Sequence, residues 1–183
     1  MTINRRTAIR QLALLSASAA LLPSCMGDHS KPDLVLNHFT VSGAGQLTLD
    51  ALTSTLIPAT DTPGARETGS SLFILKMLND CSSKPDQDTF FKGLKQLDEA
   101  SRKMNGATFA DATGGQREAL LTAIGDFQIP GDELNFFYST ARKLTILNYT
   151  SSQYFLTKVQ VYELVPGRWH GCVPVTPSQK SNS

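Results

Sequence analysis

The sequence contains few of the side chains that usually carry catalysis or bind metals. Three histidines and three cysteines occur among 183 residues. A glycine-rich nucleotide loop after a strand, Gly-x-Ser-x-Gly, His-Glu-x-x-His, Cys-x-x-Cys-His and histidine pairs at helical spacing are all missing. Asp61 and His170 could be an acid and a base, but nothing in the sequence places a substrate pocket between them. We therefore predict no catalytic, cofactor-binding or metal-binding residues in this chain.

No apolar run in the N-terminal region is long enough to span a bilayer. The stretch from Leu12 to Leu22 is short and rich in serine and alanine, which is typical of an export signal. The basic residues Arg5 and Arg6 precede it in a segment similar to the twin-arginine pattern, which carries folded proteins. We therefore predict a signal peptide over residues 1–24 and export to the periplasm by the twin-arginine route.

The residues after this stretch, Leu22-Pro-Ser-Cys25, resemble a bacterial lipoprotein box. A lipidated Cys25 would hold the protein on a membrane surface without a spanning segment. The alternative is plain signal-peptidase cleavage nearby, with Cys25 unmodified.

Charge and length limit the class of protein. Cleavage before Cys25 leaves 159 residues, enough for one domain with a real core. It removes three arginines and no acidic residue, so 17 basic and 16 acidic residues become 14 and 16, a net charge of −2. No basic run contradicts this value, and we predict that the protein does not bind nucleic acid.

The apolar spacing predicts an all-α fold, an irregular bundle of about five to six helices. We expect a tether over 25–46 with at most a short ordered piece, a helical domain over 47–175 and a disordered tail over 176–183. Met104 and Phe127 fall on predicted buried stripes, whereas the charged side of the third helix, Asp98 included, is predicted to face solvent. The predicted helices begin at Thr48, Ser70 or Ser71, Ser83, Thr113, Asp132, and Ser151 or Ser152. The first three end near Leu56, Cys81 and Met104, the fourth is broken by Ile129-Pro130-Gly131, and the fifth ends near Tyr149.

Leu56 to Ala65 is the least ordinary stretch of the sequence. Pro58 should end the first helix, because proline lacks the backbone donor that a helix needs. The residues Thr62-Pro63-Gly64-Ala65 suit a type II turn with Gly64 at positive φ, or else Thr62 is a helix N-cap followed by Pro63. Oxygens of Thr60, Asp61 and Thr62 are expected to accept hydrogen bonds from nearby backbone donors. The stretch is either a rigid connector between helices or a surface that docks on a partner.

Besides Cys25, the chain has an even pair of cysteines, Cys81 and Cys172. An exported protein can keep a disulfide, and one between these residues would be worth about 4–5 kcal/mol in the chain-entropy model. It would staple the extended C-terminal segment to the body of the protein. A metal site at His170 and Cys172 would lack further ligands, since the other two histidines lie in the predicted tether.

The order of these features resembles the gluconate 2-dehydrogenase subunit 3 family over about residues 45–175. The resemblance is carried by Leu-Ile-Pro-Ala-Thr-Asp-Thr-Pro-Gly-Ala65, Asp80-Cys81, Leu-Thr-Ile-Leu-Asn-Tyr149 and Val-Pro-Gly-Arg-Trp-His-Gly-Cys172. Two segments depart from the family pattern. Asn148 to Gln153 stands where the family commonly reads Gly-Tyr-Phe-Thr-Ser-Glu, and Trp169-His170 stands where a tyrosine usually precedes Asp-Gly-Cys.

The resemblance implies a non-catalytic small subunit of a periplasmic sugar or sugar-acid dehydrogenase. Its expected partners are an FAD-dependent large subunit of the glucose-methanol-choline type and a cytochrome c subunit that carries haem c. Alternatives are a small subunit of a related flavoprotein such as a glucoside 3-dehydrogenase, or a free-standing periplasmic scaffold or binding lipoprotein. Replacing Asp61 is expected to damage folding or assembly rather than chemistry. The family motif and candidate interface residues are Pro58, Asp61, Thr62, Pro63, Gly64, Pro166, Gly167, Arg168, Trp169 and Gly171.

The predicted disulfide can be tested on the exported protein. Alkylation without reductant should leave Cys81 and Cys172 unlabelled, and alkylation after reduction should label both, because an oxidising compartment preserves the bond. Mass spectrometry of the intact chain and of its peptides measures the labels. Two labelled thiols in the unreduced protein would exclude the disulfide.

Overall fold

The computed structural model describes residues 31–127, 129–160 and 167. The chain divides into two compact units, residues 1–47 and 48–183, which are described separately. Apart from one two-stranded sheet, the described residues are mostly helical, which confirms the all-α class. The elements are β1 (Leu34–Val35), β2 (Thr40–Val41), α1 (Gly43–Leu56), α2 (Ser70–Cys81), α3 (Lys84–Asn105), α4 (Gly114–Gly125), α5 (Asp132–Thr150) and a π-helical turn (Phe155–Val159).

The first unit contains a small antiparallel hairpin. Leu34 pairs with Val41 and Val35 with Thr40, and the Leu36 N–H donates to the Phe39 carbonyl at 2.9 Å. The hairpin is the ordered piece that the sequence analysis allowed within residues 25–46.

The first helix begins at Gly43, five residues before the predicted start at Thr48. Two glycines, Gly43 and Gly45, weaken helix propensity and hid this start. Ser42 provides the cap instead, because its Oγ accepts from the Gly45 N–H at 3.2 Å and its carbonyl accepts from the Gln46 N–H at 3.0 Å. Thr48 is therefore a buried residue inside the helix rather than its cap.

In the second unit, the predicted start and stop signals of α3 and α4 are confirmed. Ser83 caps α3, and Gly106 ends it with φ 76°, a left-handed conformation that glycine adopts without strain. Thr113 and Gln116 form the predicted capping box of α4. The sixth predicted helix is the π-helical turn, where Ser152 Oγ accepts from the Phe155 N–H at 3.2 Å.

Helix α5 is the centre of the second unit. It packs most extensively on α3 and also contacts α2, α4 and the π-helical turn. Its buried side consists of Leu134, Phe137, Ala141 and Thr145. The Phe137 ring meets the Phe90 ring of α3 edge to face, with centroids 4.7 Å apart. Aromatic pairs in this geometry add to the stabilisation that comes from burial alone.

A glycine allows α3 and α5 to approach closely. A Cβ atom at Gly93 of α3 would collide with the Glu133 carbonyl and with the Phe137 Cβ of α5. Because a backbone atom is among the obstacles, a rotamer change could not relieve the clash. Gly93 is therefore required by helix packing and not by its own backbone conformation.

Asp98 of α3 is not the solvated charge that the sequence predicted. Its carboxylate accepts from Thr48 Oγ1 of α1, with 3.2 Å to each oxygen, and from the Phe109 N–H at 3.0 Å. Arg117 of α4 in turn donates from Nε to the Phe109 carbonyl at 2.9 Å. These bonds hold the α3–α4 connection against α1 and α4.

Two apolar residues lie outside the core, contrary to prediction. Met104 is 54% exposed and Phe127 is 75% exposed. Met104 lies in the last turn of α3, where it lines a groove together with Ile129 and Leu134. Phe127 follows the end of α4, where the chain turns at a φ of 55° and directs the ring outward.

No helix among the described residues is long and apolar enough to cross a membrane.

The α3–α5 contact gives a stability prediction with a matched control. Gly93→Ala should destabilise the protein by about 1–3 kcal/mol or more, because the added methyl group cannot fit between the helices. Gly115→Ala, in the first turn of α4, should be neutral or slightly stabilising, since nothing lies within 4 Å of its Cβ position. Thermal unfolding of both variants measures the difference, and equal melting temperatures would contradict the packing account.

Candidate partner-binding surface

The sequence motif after α1 forms a folded-back loop, here called the proline loop, over residues 57–69. The helix ends at Leu56, just before Pro58, as predicted. The Ala65 N–H donates to the Ile57 carbonyl at 2.9 Å, which closes the loop at its base. The Thr60 N–H donates to the Thr62 carbonyl at 3.0 Å within the tip. The loop is therefore ordered by its own backbone.

Both predicted conformations of the Thr62-Pro63-Gly64 segment are wrong. Gly64 does not have a positive φ, so the type II turn is absent, and the next helix begins only at Ser70. Gly64 is needed for a different reason. Its Cβ would lie 2.6–2.8 Å from backbone atoms of Ile57, Pro58 and Ala59. The two arms of the loop touch here, and only a residue without a side chain fits.

The carboxylate that stabilises the proline loop belongs to Glu67 and not to Asp61. Glu67 Oε2 accepts from the Gly64 N–H at 2.9 Å. Asp61 is exposed and makes no hydrogen bond to any residue of the described ranges. Thr60 Oγ1 accepts from the Thr62 N–H, but only at 3.5 Å. The expected contribution of Asp61 to the loop backbone is therefore wrong, while a contribution to partner binding stays a prediction.

Asn148 of α5 ties the far end of the proline loop to the bundle. Its Nδ2 donates to the Thr68 carbonyl at 3.0 Å and to Ser70 Oγ at 2.9 Å. Sequence reasoning missed this contact. Asn148 and Thr68 lie 80 positions apart in the chain, so no local sequence pattern could show it.

The exposed part of the proline loop is formed by motif residues. Pro58, Asp61 and Thr62 are exposed, Pro63 is half-buried and Gly64 is buried. Gly167 of the second motif is exposed.

Cys81 is exposed at the end of α2. Other predicted site residues lie outside the described residues, so the Cys81–Cys172 pairing and the lipid anchor stay predictions; they are Arg5, Arg6, Cys25, Pro166, Arg168, Trp169, Gly171 and Cys172.

A groove of about 440 Å³ lies between α3 and the α4–α5 connection. Met104, Ile129 and Leu134 give it an apolar lining. At its edge, Gln96 Nε2 donates to Glu133 Oε2 at 3.2 Å, and this hydrogen bond lowers the pKa of the Glu133 carboxyl. Within the described ranges, no three His, Cys, Asp or Glu side chains come together as a metal site.

Two single substitutions test which carboxylate holds the proline loop. Glu67→Ala should lower the stability of the protein by about 1 kcal/mol, because the Gly64 N–H loses its acceptor. Asp61→Ala should leave the melting temperature unchanged, because that side chain is exposed and unbonded within the described part of the chain. Thermal unfolding compares the two, and a larger loss in Asp61→Ala would reverse the assignment.

Comparison with known proteins identifies the family. A family model described as gluconate 2-dehydrogenase subunit 3 matches residues 45–167, which is more than half of the chain and includes the proline loop and α5. No curated protein and no solved structure matched the chain. The family match confirms the resemblance drawn from the motifs. The chain belongs to the gluconate 2-dehydrogenase subunit 3 family.

Proposed function

We propose that this protein is the non-catalytic small subunit of a periplasmic, membrane-associated FAD-dependent dehydrogenase of gluconate or a related sugar. In this proposal it binds the flavoprotein subunit and assists its export and stability. The observation that carries the proposal is the family match over residues 45–167. The signal-like N-terminus, with Arg5 and Arg6 ahead of a weakly apolar stretch, supports the export role.

The proposed division of labour assigns the redox chemistry to the partners. The flavoprotein holds FAD and oxidises the substrate, and a cytochrome c subunit with haem c passes the electrons onward. The small subunit contributes protein contacts alone. The choice of substrate then belongs to the flavoprotein and is not encoded in this chain.

An export helper suits a cofactor-containing partner. A flavoprotein that acquires FAD in the cytoplasm must cross the membrane already folded, which the twin-arginine route permits. A small subunit that binds this flavoprotein before export can supply the signal for both chains. The predicted lipid on Cys25 would then keep the assembled complex at a membrane surface.

The ordered proline loop supports a binding role. Its tip exposes Pro58, Asp61 and Thr62, while the base is fixed by the Ala65–Ile57 hydrogen bond and by Glu67. A surface that is already ordered loses little conformational entropy when a partner binds. Rigid exposed loops of this kind are therefore suited to protein recognition.

Co-expression with an FAD-dependent flavoprotein of the glucose-methanol-choline type from the same organism tests the proposal. A tag on the small subunit should co-purify the flavoprotein from the periplasmic and membrane fractions. Replacing both signal arginines, Arg5→Lys and Arg6→Lys, should leave both chains in the cytoplasm, because the export signal is shared. Dehydrogenase activity and immunoblots of each fraction measure the result.

The control is the flavoprotein expressed alone. If it reaches the periplasm in active form without the small subunit, the export role is wrong. If in addition the two chains never co-purify, the subunit assignment itself fails. If the arginine variant still binds the flavoprotein but neither chain is exported, the signal residues act in export and not in binding.

A further inference from the structure

Helix α5 has a second side that the fold does not use. Opposite its buried residues lies a surface, here called the α5 outer face, formed by Phe136, Ser139, Arg142, Lys143, Ile146 and Leu147. Ile146 is 45% exposed and Leu147 is 44% exposed. These positions recur at helical spacing, so the aliphatic and cationic groups share one side of the helix. Since the buried side supplies the packing of α5, nearly half of the Ile146 side chain and of the Leu147 side chain stays accessible to a partner.

The charge of the α5 outer face has one sign. Arg142 and Lys143 lie at its middle, and no acidic residue occurs in the sequence between Glu133 and Glu163. Both side chains are exposed, and neither forms an ion pair with any residue of the described ranges. Glu118 and Asp126 line a second pocket together with Arg142, so the positive charge without an acidic neighbour is concentrated at Lys143. A complementary surface would carry carboxylates.

One end of the α5 outer face continues into a cup of about 370 Å³. Phe127, Phe136 and Tyr138 supply its aromatic lining. Phe127 has a φ of 55°, which a bulky residue rarely adopts, and its ring is 75% exposed. The backbone thus holds a large apolar ring in water at the edge of a concave surface, where a bound partner could bury it.

The same cup contains a buried acceptor. Asn135 lines the cup, and its Oδ1 is shielded from water yet accepts no hydrogen bond from any residue that the structure describes. Buried polar atoms are usually paired. Gln87, Ser101 and Asn105 each have an unpaired buried atom too, but of these four described residues Asn135 is the one that lines the cup. A donor from a bound partner would pair with its Oδ1.

We propose that the flavoprotein subunit binds to the α5 outer face and to the cup at Phe127. It would present an apolar side chain and a hydrogen-bond donor to the cup and carboxylates to Arg142 and Lys143. The length of α5, about 28 Å, is close to the width of a standard interface patch of about 800 Å² per partner. This inference rests on the proposed function, because it names the surface through which the small subunit binds.

The shape of the surface favours a protein over a lipid bilayer. A membrane offers no group of fixed geometry to fill a cup or to donate to Asn135. Two cations also give only weak attraction to anionic lipid. A folded partner can satisfy the aromatic cup, the acceptor and the two charges together.

Matched variants test the proposal in the mature full-length chain. Leu147→Ser removes an exposed leucine from the α5 outer face, and Leu72→Ser removes one of equal exposure, 44%, from α2. Lys143→Glu reverses a charge on the face, and Lys76→Glu reverses an exposed charge on α2. Leu147→Ser and Lys143→Glu should each weaken flavoprotein binding about tenfold, as expected for interface residues. The two α2 variants should bind as the wild type does.

The measurement is titration of purified flavoprotein with each variant at low and high salt. Wild-type affinity should fall as salt rises, and the Lys143→Glu variant should show a weaker salt dependence. Melting temperatures of all four variants should match the wild type, because the replaced side chains are exposed. A variant that melts early is replaced by Ile146→Ser, which tests the same face.

Three results would overturn the inference. Equal affinity of all variants, with the wild type still binding, would place the interface elsewhere and leave the proposed function intact. If Leu147→Ser and Lys143→Glu bind the flavoprotein normally but lose the binding of the wild type to phosphatidylglycerol vesicles, the α5 outer face is a membrane-binding surface. If the wild-type chain does not bind the flavoprotein at all, the proposed function fails, and the inference fails with it.

Discussion

The close approach of α3 and α5 is the constraint on which the rest of the helical unit depends. Gly93 lets the α5 backbone come close to α3, where a methyl group would collide with the Glu133 carbonyl. The Phe90 and Phe137 rings then fill the space beside this contact. With α5 fixed in this way, its remaining buried residues are available to α2 and α4. One helix thus organises the core with one of its sides, and its opposite side stays at the surface.

Polar side chains attach the connections to this core. Asp98 holds the α3–α4 connection and Asn148 holds the proline loop, each through hydrogen bonds to backbone groups as well as to side chains. A partly buried N–H or C=O without a partner would cost more than such a bond contributes, so these residues prevent a loss as much as they add stability. The loops are consequently ordered without a large apolar core of their own. Ordered loops keep a fixed shape for a partner to recognise.

Local signals in the sequence predicted most of the helical pattern, because caps, prolines and glycines act over a few residues. Ser83, Thr113 and Gly106 mark helix ends as expected. Errors arose where a distant contact decided the outcome. The sequence places Asp98 on a charged, solvated side of α3. The structure shows that its carboxylate accepts hydrogen bonds from Thr48 and from the Phe109 N–H, which are distant in the sequence. Phe127 fits the apolar period of α4, but the helix has already ended at Gly125. Spacing alone cannot show where a helix leaves the core.

The proline loop is anchored to α5 one residue after the last residue of the α5 outer face. Asn148, which anchors the loop through Thr68 and Ser70, directly follows Leu147 of the outer face. A partner seated on Leu147 would therefore lie beside the anchor point of the proline loop. Gly64 and Glu67 explain the shape of the loop without a partner, since both act on its own backbone. On the outer face, by contrast, Ile146 and Leu147 stay 45% and 44% exposed. The loop is thus a rigid border fixed to the bundle, and the α5 outer face is the surface that we propose for flavoprotein binding.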